Sequence, residues 1–153
     1  MRRLGASERN MLVAQSNLAG TYEKLGLREQ ALPLKRDAYF GFLRLDGEED
    51  ANTFREASNY ANCLVSLRRF EEAKSLLRKT IPVARRVSGE NDELTLHLRT
   101  IYAAMTYYDP DATVYDLREA VETLEDTERT ARRVLGGAHP FTVDVGKSLR
   151  KWL

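Results

Sequence analysis

The stretch SNLAGTYEKLGLREQALPL, residues 16–34, returns as SNYANCLVSLRRFEEAKSLL at residues 58–77. Asn17-Leu18-Ala19 becomes Asn59-Tyr60-Ala61 and then Ile101-Tyr102-Ala103, each step 42 residues long, and Glu29-Gln30-Ala31 becomes Glu71-Glu72-Ala73 at the same step. A fixed period in the range of about 20–50 residues marks an array of small units that bury their faces on one another. TIPVARRVSG at 80–89 returns as TERTARRVLG at 127–136, 47 residues later, so five residues have entered the third unit near the turn signal Asp109-Pro110-Asp111. Gly5, Gly47, Gly89 and Gly136 keep this phasing and are expected to end helices.

Within each unit the apolar residues fall on two helical faces. Phe54, Ala57, Ala61, Leu64 and Leu67 recur at steps of three and four, and Phe70, Ala73, Leu77, Ala84 and Val87 do so with wider gaps. Short polar breaks, Leu25-Gly26-Leu27-Arg28 and Arg68-Arg69, fold each pair back into an antiparallel hairpin. Alanines at matched positions (Ala19, Ala61 and Ala103; Ala31, Ala73 and Ala120) let helix axes approach closely. Pro33 lies in the opening turns of its helix, Pro82 predicts a bend or break at residues 78–82, and Pro140 is placed to open a last helix. The expected fold is all-α, a right-handed superhelical solenoid of antiparallel helix hairpins with about seven helices. It forms one domain: residues 8–50, 51–92 and 93–139 as repeats and 140–153 as a capping helix.

Composition excludes several classes. At 153 residues, 42% hydrophobic and 31% charged, the chain is neither disordered nor fibrous. Twenty-four Lys and Arg against 23 Asp and Glu give a net charge of +1, too little to gather nucleic acid or an acidic membrane nonspecifically. A single cysteine, Cys63, builds neither an internal disulfide nor a zinc module. With no apolar run long enough to span a bilayer and no apolar stretch behind the N-terminal arginines, the expected location is cytoplasmic.

These units resemble the 42-residue repeats of the kinesin light chain type, a long-helix variant of the tetratricopeptide repeat. The resemblance is carried by the two stretches above, by ARRVSGENDELT at 84–95 and by ARRVLGGAHPFT at 131–142, and covers residues 4–153. Only the last connector keeps the family's His-Pro pair, His139-Pro140; the earlier ones read Glu49-Asp50 and Asn91-Asp92, and the third unit has Ile101 in place of asparagine. The opening RRLGA resembles the tail of a preceding unit, which suggests a longer array.

The resemblance implies a non-enzymatic protein-interaction scaffold whose first helices line a concave groove for a peptide or helical segment of a partner protein. By helix phase the candidate groove residues are Ser16, Asn17, Lys24, Arg55, Ser58, Asn59, Asn62, His97, Thr100, Tyr107 and Tyr108, with Val13, Gly20, Glu23, Ser66, Ile101 and Ala104 on the same faces. Asparagine suits such a wall because its amide pairs with both N–H and C=O of an extended backbone. It equally suits a bond to the neighbouring repeat. The carboxylate clamp by which some tetratricopeptide domains grip a chaperone's acidic C-terminus is not matched: Asn59 fits it, but Ser16, Gly20, His97 and Ile101 do not. Lys24 and Arg55 favour an acidic peptide, Tyr107 and Tyr108 offer apolar contact, and Glu23 opposes the cations.

No cofactor and no metal ligand set is expected. His97 reads as a groove residue, His139 as part of a connector and Cys63 as a small interior residue, so no base stands beside a nucleophile. Arg85-Arg86, Arg132-Arg133 and Arg68-Arg69 read as a solvated outer face, or else as a basic stripe for an acidic partner. The rival to a ligand-binding scaffold is a structural segment of a longer solenoid, or a homo-oligomer formed through exposed repeat ends.

Overall fold

The computed structural model describes residues 2–153, with side chains from Ala6 onward. The side chains of the leading Arg2-Arg3-Leu4-Gly5 lie outside the described residues. Seven helices follow in order: α1 (Arg2–Lys24), α2 (Arg28–Asp46), α3 (Ala51–Ser66), α4 (Phe70–Ser88), α5 (Glu93–Tyr108), α6 (Val114–Leu135) and α7 (Pro140–Trp152). The architecture is all-α, with no strand among the described residues, and its helices pair in the manner of tetratricopeptide repeats. The chain divides into two compact units, Met1–Leu76 and Leu77–Leu153, with the boundary inside α4.

The short connections explain the hairpins. After α1, Gly26 turns left-handed at φ 77°, and the N–H of Leu27 reaches back to the carbonyl of Tyr22 at 2.8 Å. After α3, 42 residues on, Arg68 takes the same conformation at φ 61°, and Arg69 N–H reaches Leu64 C=O at the same 2.8 Å. Both turns close a helix by the same backbone device, in the second case despite the strain of a side chain. The third equivalent position is Pro110, whose ring forbids a positive φ. That hairpin closes instead with a longer turn, in which Asp109 Oδ1 accepts from Asp111 N–H at 2.9 Å. Thr113 then caps α6 by a reciprocal bond pair with Asp116. The five inserted residues therefore supply the turn that proline denies.

The connectors between hairpins repeat as closely. Gly47, Gly89 and Gly136 end their helices at φ 86°, 94° and 93°. Gly5 departs from this pattern: α1 runs on through it from Arg2 to Lys24, so it ends no helix. Asp50 and Asp92 cap the next helices, accepting from the N–H groups of Asn52 at 2.8 Å and Leu94 at 3.0 Å. His139 takes the same place before α7, its Nδ1 accepting from Phe141 N–H at 3.2 Å. The imidazole thus replaces a carboxylate as helix cap, with its proton on Nε2. At the start of α3 and of α5 a buried threonine ties the chain down: Thr53 donates to Gly47 C=O at 2.7 Å, and Thr95 donates to Ala84 C=O at 3.5 Å, whereas the hydroxyl of Thr142, in the same phase on α7, is buried without a partner among the described residues.

In the first unit α1 packs on α2 and α2 on α3. Ala19, Ala31, Ala38, Phe42, Phe54, Ala57 and Leu64 fill the interior. Gly41 is there because α1 comes so close that a Cβ would collide with the Leu12 side chain. In the second unit α5 packs on α6 and α6 on α7, around Leu96, Leu124, Ala131, Phe141 and Val145. Of the bend or break expected near residues 78–82, the break does not occur, for α4 is continuous from Phe70 to Ser88 with Pro82 inside it. Pro82 and Arg78, the residue four positions before it whose carbonyl a proline cannot bond, are both exposed on α4.

Candidate functional site

The first unit presents two rows of side chains in repeat register. Val13, Asn17, Gly20 and Lys24 follow one another along α1 at helical spacing, and Arg55, Asn59, Asn62 and Ser66 occupy the positions 42 residues later on α3. Val13, Asn17, Lys24, Arg55, Asn62 and Ser66 are exposed or nearly so, and Asn59 is half-buried. The rows carry two cations and no acid.

The floor between the rows is acidic but muted. Glu56 of α3 is buried and accepts hydrogen bonds from Ser16 Oγ at 3.1 and 3.2 Å. Burial pushes its carboxyl above the ordinary range, outweighing Ser16, Arg55, Lys35 and a hydrogen bond from Asn59, all of which favour the anion. Asn59 therefore holds Glu56 as well as facing the row. Glu23 does not oppose the cations, because Lys35 of α2, itself buried, binds it at 2.6 Å. Arg9 of α1 likewise grips Asp46 through two bonds of 2.5 and 2.8 Å and, with Asn52 on the same carboxylate, holds its pKa below the usual value.

The remaining candidates are placed differently. Ser58 is 9% exposed and lies in the interior, not on an open wall. Ser16 faces α3 through Glu56. In the second unit Thr100 donates to the Leu96 carbonyl of its own helix at 2.9 Å. Tyr107 stacks on Trp152 of α7, with ring centroids 4.2 Å apart and planes 6° from parallel, and Tyr108 meets the same indole edge-on at 6.1 Å. His97 lies 4.1 Å from the Phe141 ring, and burial there lowers its pKa, with Glu93 working in the opposite sense. Thus α7 meets α5 through His97, Tyr107 and Tyr108, and Ile101 is buried as well.

A cleft of about 270 Å³ in the second unit is lined by Arg78, Pro82, Arg85, Arg99, Tyr102 and neighbouring residues. Arg99 is anchored there by Asp126 at 3.0 Å, and Arg85 by Glu90 at 3.2 Å. No single stretch of sequence signals this cleft, because its arginines come from two helices. The other paired arginines are also engaged: Arg69 with Glu72 at 2.6 Å, Arg132 with Glu128 at 2.5 Å and Arg133 with Asn91 at 3.3 Å. Such local pairing supports a solvated outer face.

Cys63 is fully buried, with its thiol 3.6 Å from the Arg28 carbonyl and its pKa raised by burial, the reverse of an activated nucleophile. Among the described residues no group of three or more His, Cys, Asp or Glu is placed to hold a metal ion. No described helix is long and apolar enough to cross a membrane.

Residues 57–93 match the family model of the tetratricopeptide repeat. The matched segment runs from within α3 through all of α4 and the following connector to the first residue of α5. No curated protein matches the chain. A tetratricopeptide repeat is a protein-interaction fold, typically used as a scaffold without catalysis.

Proposed function

We propose that the chain is a non-enzymatic, cytoplasmic interaction scaffold built from repeats of the kinesin light chain type. Its first unit binds an extended acidic peptide of a partner protein along α1 and α3. The observation that carries this reading is the pair of rows in register: asparagines Asn17, Asn59 and Asn62 between two cations, Lys24 and Arg55, with Glu23 neutralised by Lys35. The amides are suited to an extended backbone whatever its side chains, and the cations favour acidic residues at both ends.

Selection from a displayed peptide library, followed by affinity measurement, tests the reading. Acidic sequences should emerge, and Asn17→Ala with Asn62→Ala should weaken them at least tenfold, as should Lys24→Glu with Arg55→Glu. Asn59 is left intact because it also supports Glu56. Unchanged affinity in variants with native circular dichroism would overturn the proposal.

A further inference from the structure

The cleft walled by α4, α5 and α6 lies wholly within the second unit, and its set of arginines occurs at this repeat junction alone. In the repeat phase of Arg78, Arg85 and Arg99 the preceding repeat has Arg36, Leu43 and Ala57, and the positions one repeat further on hold Glu125, Arg132 and Gly146. Ala57 is a fully buried packing residue, so Arg99 puts a guanidinium where the repeat packs an alanine. Its side chain is 12% exposed, and its Nε is buried without an acceptor among the described residues. Packing explains neither, since a buried donor left unpaired destabilises the fold.

Arg85 of α4 and Arg99 of α5 converge on one carboxylate. Glu90, in the turn after α4, sets Oε1 3.2 Å from Arg85 Nε and Oε2 3.8 Å from Arg99 Nη1, the second too long for a hydrogen bond. This carboxylate is 60% exposed, so water competes for it and its hold is weak. Asp126 takes a single nitrogen of Arg99, Nη2 at 3.0 Å. Arg78, on the same wall, has no ion-pair partner among the described residues. Glu119 is the one acid lining the cleft, against three guanidiniums.

We propose that this cleft binds a phosphate monoester, which displaces Glu90 from between the two arginines. A phosphoryl group brings about two negative charges near neutral pH and three terminal oxygens. That is one acceptor more than the carboxylate that Arg85 and Arg99 share, and Arg78 takes it. Guanidinium forks match such oxygens in geometry and charge. Leu77, Ile81, Pro82 and the Tyr102 ring supply an apolar wall for the organic part of the ester. The volume, about 270 Å³, lies just below the ~300 Å³ at which small-molecule pockets begin, a size for one ring and its phosphate. No residue of the α1 and α3 rows takes part, so this inference is independent of the peptide reading.

Titration calorimetry of the full chain with phenyl phosphate, a single ring on a phosphate, tests it. Saturable one-to-one binding in the millimolar range or tighter is expected, with phenol inert. Arg78→Gln should weaken binding about tenfold, the loss of one hydrogen bond between charged groups. Glu90→Gln should tighten it severalfold by removing the resident competitor. Both side chains are exposed, so neither change disturbs the interior. A short peptide carrying phosphotyrosine separates two sources of the group: retained affinity assigns it to a modified side chain of a partner, and lost affinity to a free small molecule. Absence of saturable phenyl phosphate binding overturns the proposal, as does an affinity that Arg78→Gln leaves unchanged. An affinity that Glu90→Gln leaves unchanged or weakens overturns the displacement.

Discussion

Ser16 of α1 donates its hydroxyl to the buried carboxylate of Glu56 on α3, at 3.1 and 3.2 Å. This bond joins the first helices of adjacent repeats beneath the two exposed rows. It does not fully offset the desolvation of Glu56, whose pKa stays above its ordinary value.

Stability should therefore depend on pH through this group. Because the folded pKa is the higher one, the folded chain holds the proton more tightly than the unfolded chain. The benefit is complete below the ordinary glutamate range and is lost as pH rises through the folded value. Glu56→Gln should remove this part of the pH dependence and raise neutral-pH stability, since a neutral amide avoids the charge burial. Urea unfolding at pH 5 and pH 8 measures both; a variant less stable than the parent at pH 8 contradicts the assignment.

The ion pair of Glu23 with Lys35 behaves oppositely. Removing Glu23 leaves the buried Lys35 ammonium unpaired, so Glu23→Ala should destabilise the fold by about 3 kcal/mol. Glu23→Ala combined with Lys35→Met should recover most of the loss. Chemical denaturation of the three proteins decides it, and additive losses would contradict the pairing.

Arg68 marks a site where the sequence is not at its optimum. It takes the left-handed conformation that Gly26 takes without strain, at a cost of about 1–2 kcal/mol. Its guanidinium lies 5.4 Å from the Phe70 ring, an exposed contact worth about 0.5–1 kcal/mol. The backbone term is the larger, so Arg68→Gly should raise the melting temperature; an unchanged or lower value contradicts this balance.

The docking of α7 should loosen in mild acid. His97 packs on Phe141 with a pKa below 6.5, so its neutral form is the folded one, and the stability it contributes is present above 6.5 and lost as pH falls through the depressed value. Trp152 is the only tryptophan and stacks on Tyr107, so its emission reports the docking. Emission should shift to the red as pH falls, and in His97→Phe that shift should shrink; an equal shift in both proteins removes His97 from the account.

The repeat, the hairpins and the glycine turns were legible in the sequence because a 42-residue step repeats both the packing alanines and the turn residues. Neighbours were harder to read. Helix phase tells where a side chain points around its own axis, but not which helix lies there. Ser58, His97 and Tyr107 share the phase of open groove positions, yet Ser58 is buried and the other two pack on α7. Glu56 was missed because a glutamate among Phe54, Ala57 and Ala61 gives no sign of a hydroxyl arriving from the previous repeat. At Pro82 propensity suggested a bend or a break, and α4 continues past it without breaking.

The central claim is that the α1 and α3 rows bind an acidic peptide, and its most direct test is the heteronuclear NMR spectrum of the labelled chain titrated with a library-selected peptide. The account predicts saturable shifts in the side-chain amides of Asn17, Asn59 and Asn62 and in the backbone of Lys24 and Arg55, while Thr100 and Tyr107 stay in place. Shifts confined to the α5–α7 face, or to the cleft at Arg78 and Arg99, would contradict it.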